Sequence, residues 1–198
     1  MALVTPLNED EMAPALRDEV QFFKGPLGVV PNSVRTMAHR PEIARAFTAL
    51  NIAVMTCHGA VTGEFKRLIG YVTSFTSGCR YCQAHTILGS ERFGASAARL
   101  NDVWDFEPSP HFTEAEKAAL AFARAAAEVP NGVTPQIEDR LRAHWSDGDI
   151  VEIMGVIALF GYLNRWNDSM GSALEDLPIA TAERLLGDTG WQIGKHGA

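Results

Sequence analysis

Apolar residues recur at helical spacing along nearly the whole chain, with helix starts and stops between the runs and no strand-like alternation that pairs up. Leu16, Val20 and Phe23 fall at i, i+4 and i+7 within Pro14 to Lys24, and Gly25-Pro26 is the expected stop. Leu27 to Pro31 reads as a connector. Asn32 or Ser33 is then placed to cap a short helix ending before Pro41. From Glu42 to about Cys57, the residues Ile43, Ala46, Phe47, Leu50, Val54 and Cys57 trace one face. Thr62 is the expected cap of the next helix, where Phe65, Leu68, Ile69 and Val72 keep the same period. Tyr71 to Thr76 is rich in β-branched and aromatic residues, which favours a strand locally, but the register carried over from Phe65 predicts helix.

The second half has the same organisation. Ser77-Gly78 breaks the chain, and a helix from about Arg80 to Phe93 ends at Gly94. Thr113 and Glu116 have capping-box spacing before an alanine-rich helix that Pro130-Asn131-Gly132 terminates. Thr134-Pro135 opens another helix with Ile137, Leu141 and His144 or Trp145 inward. Ser146 and Asp149 repeat the capping spacing before the most apolar helix, Ile150 to Trp166. From Gly187 the glycine-rich tail is expected to be peripheral or frayed, with Trp191 and Ile193 as its docking residues. The predicted fold class is all-α, one domain over residues 1–198 with 1–41 as a helical N-terminal arm.

Charge and length limit the partners. A net charge of −7 argues against nucleic acid or an anionic membrane surface. The longest apolar run, Ile150 to Leu163, contains Glu152 and is too short for a bilayer. Met1 to Pro6 leads directly into Asn8-Glu9-Asp10-Glu11, with no visible secretory signal. The three cysteines therefore read as cytoplasmic thiols rather than a disulfide framework.

Two of those cysteines fall in Cys79-Arg80-Tyr81-Cys82-Gln83-Ala84-His85. At a helix start, free amides and the dipole favour a thiolate on Cys79. Cys82 lies one turn later, close enough for a disulfide, and His85 one turn beyond that, where an imidazole can take a thiol proton. The segment thus supplies a nucleophile, a resolving thiol and a base. The alternatives are inert packing of both thiols and a zinc site completed by Cys57, His58 or His85, although Cys57-His58 are adjacent and awkward for one ion. Glu64, fifteen residues before Cys79, is a candidate carboxylate partner if a helical hairpin returns it to the cysteines. Glu152 reads as a possible buried site acid or as a solvated helix-start acid. The polar cluster Asn164-Arg165-Trp166-Asn167-Asp168 reads as helix capping or a subunit contact.

The run Ser77 to His85 resembles the redox motif of alkyl hydroperoxidase D-like proteins in the carboxymuconolactone decarboxylase superfamily. Lys66-Arg67-Leu68-Ile69 is similar to the helix preceding that motif, and the Asn164-to-Asp168 cluster resembles a feature of the longer, peroxidase-related branch. The likeness is strongest over Thr62 to Phe93. It implies an all-helical bundle, homo-oligomers (trimers or hexamers) and a thiol-dependent peroxidase or disulfide reductase without metal or other cofactor. By the same resemblance Cys82 attacks peroxide and Cys79 resolves the product, whereas the dipole argument favours Cys79 as the activated thiol. Two positions depart from the family pattern. The histidine usually lies four residues after the second cysteine, where this chain has Thr86 and places His85 one earlier. The family glutamate usually lies twelve residues before the first cysteine, where this chain has Arg67, with Glu64 one turn earlier on the same face.

The expected site is therefore Cys79, Cys82, His85 and Glu64, acting on a hydroperoxide with a separate thiol or disulfide reductant. A decarboxylase-like enzyme would leave the CxxC unexplained. A non-catalytic helical oligomer with structural zinc or a redox-sensing disulfide would need no base at all.

Overall fold

The computed structural model describes residues 2–197, and their regular structure is entirely helical. The helices are α1 (Pro14–Val20), α2 (Lys24–Leu27), α3 (Asn32–Met37), α4 (Pro41–Met55), α5 (Gly63–Thr76), α6 (Arg80–Arg92), α7 (Ala97–Asp102), α8 (Glu114–Ala127), α9 (Pro135–Arg142), α10 (Asp147–Met170) and α11 (Asp176–Leu186). The all-α class and the helix over Tyr71 to Thr76 hold. Thr62 and Thr113 cap α5 and α8 through side-chain oxygens that accept from Phe65 and Glu116 amides, and the Thr113 capping box is complete. No described helix is long and apolar enough to cross a membrane.

The hairpin of α5 and α6 forms the centre. Between Gly63 and Ser74 every residue of α5 except Glu64 is buried, because α6, α8 and α10 pack around it. Gly70 permits the closest approach: a Cβ there would lie 2.5 Å from the Phe160 ring of α10. Two cations share this buried helix, and the fold satisfies the first completely. Lys66 donates to the Val54 and Thr56 carbonyls at 2.7 and 2.6 Å, closing the C-terminal end of α4, and pairs with Glu152 at 2.7 Å. Glu152 is therefore neither a site acid nor a solvated one, but the counter-ion of a buried lysine.

Three local expectations change. Gly25-Pro26 does not stop the N-terminal segment, because Pro26 sits in the first turn of α2, where its missing N–H costs nothing; Gly28, with φ of 80°, ends the helix instead. Neither Asn32 nor Ser33 caps α3. Both lie inside it, after Pro31. The tail is docked rather than frayed: Trp191 and His196 are buried, the Trp191 indole donates to the Arg80 carbonyl at 3.4 Å, and Leu174 bonds the His196 carbonyl at 2.9 Å. Ile193 packs beside them, partly buried. Helices α7 and α11 lay outside the segments marked by periodicity. The latter packs on α6 and positions the site.

Candidate active site

Gly78, with φ of 76°, turns the chain out of α5 so that Cys79 becomes the N-cap of α6. The Cys79 sulfur accepts from the Cys82 amide at 3.4 Å, so one free amide of the first turn points at this thiol. Both cysteines are free and buried. They are not equivalent, because Cys82 lines a cavity and Cys79 does not. The cavity measures about 80 Å³, several times the roughly 10–15 Å³ that one water needs. Phe23, Phe47, Phe160 and Leu163 make it largely apolar, with His85, Tyr81, Asn167 and Arg67 as polar points in its wall.

His85 lies one turn beyond Cys82, packed against Tyr81 at 4.6 Å between ring centroids. Its Nε2 faces Glu175 Oε2 at 2.8 Å, while Nδ1 is buried without a protein partner. A carboxylate can only accept, so Nε2 carries the hydrogen and Nδ1 of the neutral ring keeps a free lone pair. Glu175 also accepts from the Tyr81 hydroxyl at 3.1 Å and from the Asn32 amide. Burial alone would push its pKa up. The charge of His85 and the hydrogen bonds from His85 and Asn32 outweigh that and hold it below the ordinary 4.5. Burial pushes Tyr81 well above its usual range, with Glu175 adding to the effect, so the hydroxyl remains a donor at neutral pH.

Burial likewise pushes the Cys82 thiol up, and the adjacent Cys79 sulfur adds to it. Against this, Asn167 donates its amide to Cys82 Sγ at 3.4 Å, a contact that favours the thiolate. Cys82 is thus a neutral thiol at rest, with one hydrogen-bond donor aimed at its sulfur and a free imidazole nitrogen one turn away. Proton removal rather than a standing low pKa must activate it.

The structure brings Cys79, Cys82 and His85 together and leaves Glu64 elsewhere. Arg99 of α7 holds Glu64 at 2.9 Å and shares its fork with Glu116 at 2.6 Å. The reason is the antiparallel hairpin, which sets the start of α5 beside the end of α6, with Gly63 against Phe93. Glu64 therefore lies beside the far end of α6, on the order of 10 Å along the axis from the His85 turn. Thr86, at the family histidine position, donates its hydroxyl back to the Cys82 carbonyl at 2.8 Å. Cys57 is exposed, and His58 turns to the Ala53 carbonyl of its own segment. Among the described residues no group of three or more His, Cys, Asp or Glu side chains is placed to hold a metal ion.

Sequence reasoning missed Glu175 and Asn167. Glu175 is 90 residues from His85 and is the residue before α11, one acid among 24 Asp and Glu. The only sequence signal for Asn167 was the polar cluster closing an apolar helix. It supplies a donor to the reactive sulfur from within α10 rather than capping the helix.

Comparison with known proteins fits this architecture. Residues 41–125, which include α4 to α6, match the model of the carboxymuconolactone decarboxylase family. The chain is similar to the debrominase Bmp8, whose Cys-to-Ala variant was solved with 2,3,4-tribromopyrrole: 32% identity over 93% of this chain and 98% of that one, with a TM-score of 0.88. A peroxidase-related protein with an AhpD core from Ralstonia eutropha shares the fold at 23% identity, covering 89% of this chain and 94% of that one, TM-score 0.77. The uncharacterized protein YnjA of Escherichia coli is 30% identical over 92 residues. That match takes in 46% of this chain and spans half the length of YnjA.

Proposed function

From the match to the carboxymuconolactone decarboxylase family over residues 41–125 and the fold shared with AhpD-core proteins, we propose that the chain belongs to the AhpD-like branch and is a dithiol reductase acting on small, largely apolar electrophiles, organic hydroperoxides among them. The observation that carries this reading is the single cavity wall holding Cys82 and His85, with Cys79 directly behind Cys82. His85 Nδ1 takes the Cys82 proton, and Glu175 stabilises the imidazolium that forms. The thiolate attacks the peroxide oxygen. An S–O bond forms as O–O breaks, and the alkoxide leaves as the alcohol with the proton from His85. Cys79 then attacks the Cys82 sulfenic acid, an S–S bond forms, and water leaves. An external dithiol restores the pair. The aromatic lining supports an organic rather than a bare peroxide, and the small volume argues against a protein disulfide entering it.

A second substrate class, halogenated aromatic rings, draws support from the likeness to a debrominase solved with a bromopyrrole. The electron count is the same. Cys82 takes the halogen as the C–X bond breaks, the ring carbon takes the proton, and Cys79 displaces halide to leave the disulfide. Exposed Ile43 and Leu50 of α4 and Val151 and Tyr162 of α10 support the homo-oligomeric assembly expected of this family.

Turnover of cumene hydroperoxide and bromide release from a brominated pyrrole, each with excess dithiol, separate the two classes. Cys82→Ser must abolish either activity. Unchanged turnover in that variant removes the proposal.

A further inference from the structure

Arg67 is the second cation of the buried helix α5, and the fold leaves it unpaired. It is 7% exposed and forms part of the wall that holds Cys82 and His85. Its guanidinium lies over the Phe93 ring at 3.3 Å from the centroid and donates one hydrogen bond, to the Gly63 carbonyl at 2.6 Å. A guanidinium has five N–H groups. Among the described residues the others find no protein acceptor, and no carboxylate comes within ion-pair distance. Lys66, the next residue toward the N-terminus, shows what the same helix does with a structural cation: two carbonyls and Glu152 enclose it. The one carboxylate in contact with the site histidine, Glu175, is engaged by His85, Tyr81 and Asn32.

Space is also reserved for this side chain. A Cβ at Gly89 of α6 would lie 2.9 Å from Arg67 Cδ, so the arginine stem passes over α6 only because that residue has no side chain. An uncompensated buried charge is costly and persists where something compensates it in use. Arg67 also occupies the position at which the resembling family carries a glutamate. The sign of the charge there is reversed, while the carboxylate partner of the histidine comes from α11 instead.

We propose that Arg67 is an anion-binding residue of the cavity and that the preferred substrates are small rings bearing an ionised acidic group, bound with that group on the guanidinium and the ring among the phenylalanines. The substrate class rests on the dithiol reading of the same cavity; the anion site itself does not. A planar fork on an aromatic face is suited to one anionic oxygen or ring nitrogen. The apolar lining accounts for the rest of the ligand. Cys82 and His85, in the same wall, would then face the ring rather than its charged group.

The test uses 4-nitrophenol, whose absorption distinguishes phenol from phenolate, and 4-nitroanisole as its uncharged counterpart. Both are titrated with the reduced full-length protein from about pH 6 to about pH 8. At about pH 6 the bound nitrophenol is expected to show several times the phenolate fraction of the free compound, with an apparent pKa lowered by about one unit, a tenfold preference for the anion. At about pH 8, where nitrophenol is mostly anionic, Arg67→Met is expected to weaken it about tenfold and nitroanisole less than about twofold, and Arg67→Lys to recover part of the loss. Unchanged nitroanisole binding reports that the variant cavity is folded. A phenolate fraction that binding to the wild type leaves unchanged or lowers overturns the proposal, as does equal loss of both rings in Arg67→Met or failure of either ring to bind. Disulfide formation with cumene hydroperoxide in the same preparation reads the redox proposal alone. Phenolate binding without disulfide leaves the anion site standing, and disulfide without phenolate binding removes only the anion site.

Discussion

Replacing Glu175 by Gln keeps the shape of the site and reverses its proton logic. The amide oxygen can still accept from the Tyr81 hydroxyl and the Asn32 amide, but an amide NH2 turned toward His85 donates where the carboxylate accepted. The imidazole then takes the other tautomer, with its hydrogen on Nδ1, and the free lone pair needed by Cys82 is gone. A positioned general base is worth about 10²–10⁴ in rate, and the Cys82 thiol has no low pKa to fall back on, because burial and the neighbouring sulfur push it up. The rate of Cys82 alkylation and of hydroperoxide turnover near neutral pH should therefore fall by at least about 10²-fold. The gap between variant and wild type should close as pH rises toward the thiol's own raised pKa, where ionisation no longer needs the base.

Stability supplies an independent readout. Loss of the charge-assisted bonds should cost about 1.5–3 kcal/mol. The Glu175 pKa is lower in the folded protein than the ordinary 4.5, so its contribution is fully present above that value. It is lost as pH falls through the lower folded value, and the two proteins should converge in acid. Stopped-flow alkylation across pH, with denaturant melts alongside, measures both. A variant that reacts within about threefold of wild type at neutral pH would refute the assignment of Glu175 to His85.

Two further outcomes follow from the same geometry. Cys79→Ser should consume one equivalent of hydroperoxide and stop, leaving a Cys82 sulfenic acid that dimedone labels; continued dithiol-driven turnover would show that Cys79 is not the resolving thiol. Glu64→Ala should leave turnover within about twofold of wild type and cost about 1 kcal/mol, because a part-buried Arg99 keeps Glu116 after losing one of two partners. A loss of activity as large as that of Glu175→Gln would return Glu64 to the site.

The residues that sequence reasoning located are those whose relation is local. Cys79, Cys82 and His85 share one helix, so spacing alone places them on one face, and Ser77-Gly78 marks where that helix begins. Thr62, Thr113 and the apolar stripes likewise fix helix positions through contacts within a few residues. Glu175 and Asn167 reach Cys82 and His85 only because α11 and α10 fold back onto α6, and nothing in the spacing of a chain encodes which distant acid arrives. Glu64 was an inviting choice because hairpin neighbours are close in sequence, but an antiparallel hairpin places its first turn opposite the wrong end of α6. Helix α11 escaped notice for a related reason: only Pro178, Thr181, Ala182 and Leu186 are buried in it, mostly small side chains that make no strong apolar stripe. Arg67 was noticed as a departure from a family pattern. Only its burial and its lack of a counter-ion give that departure a chemical meaning.

The central claim is that Cys79 and Cys82 form a working redox pair opening onto one cavity. Its most direct test is thiol titration of the reduced protein before and after one equivalent of cumene hydroperoxide, with the products mapped by mass spectrometry. The account predicts that two of the three thiols are lost, that the peptides of Cys79 and Cys82 are joined by a disulfide, and that exposed Cys57 stays free. Three titratable thiols after the peroxide is consumed, or a disulfide that includes Cys57, would contradict it.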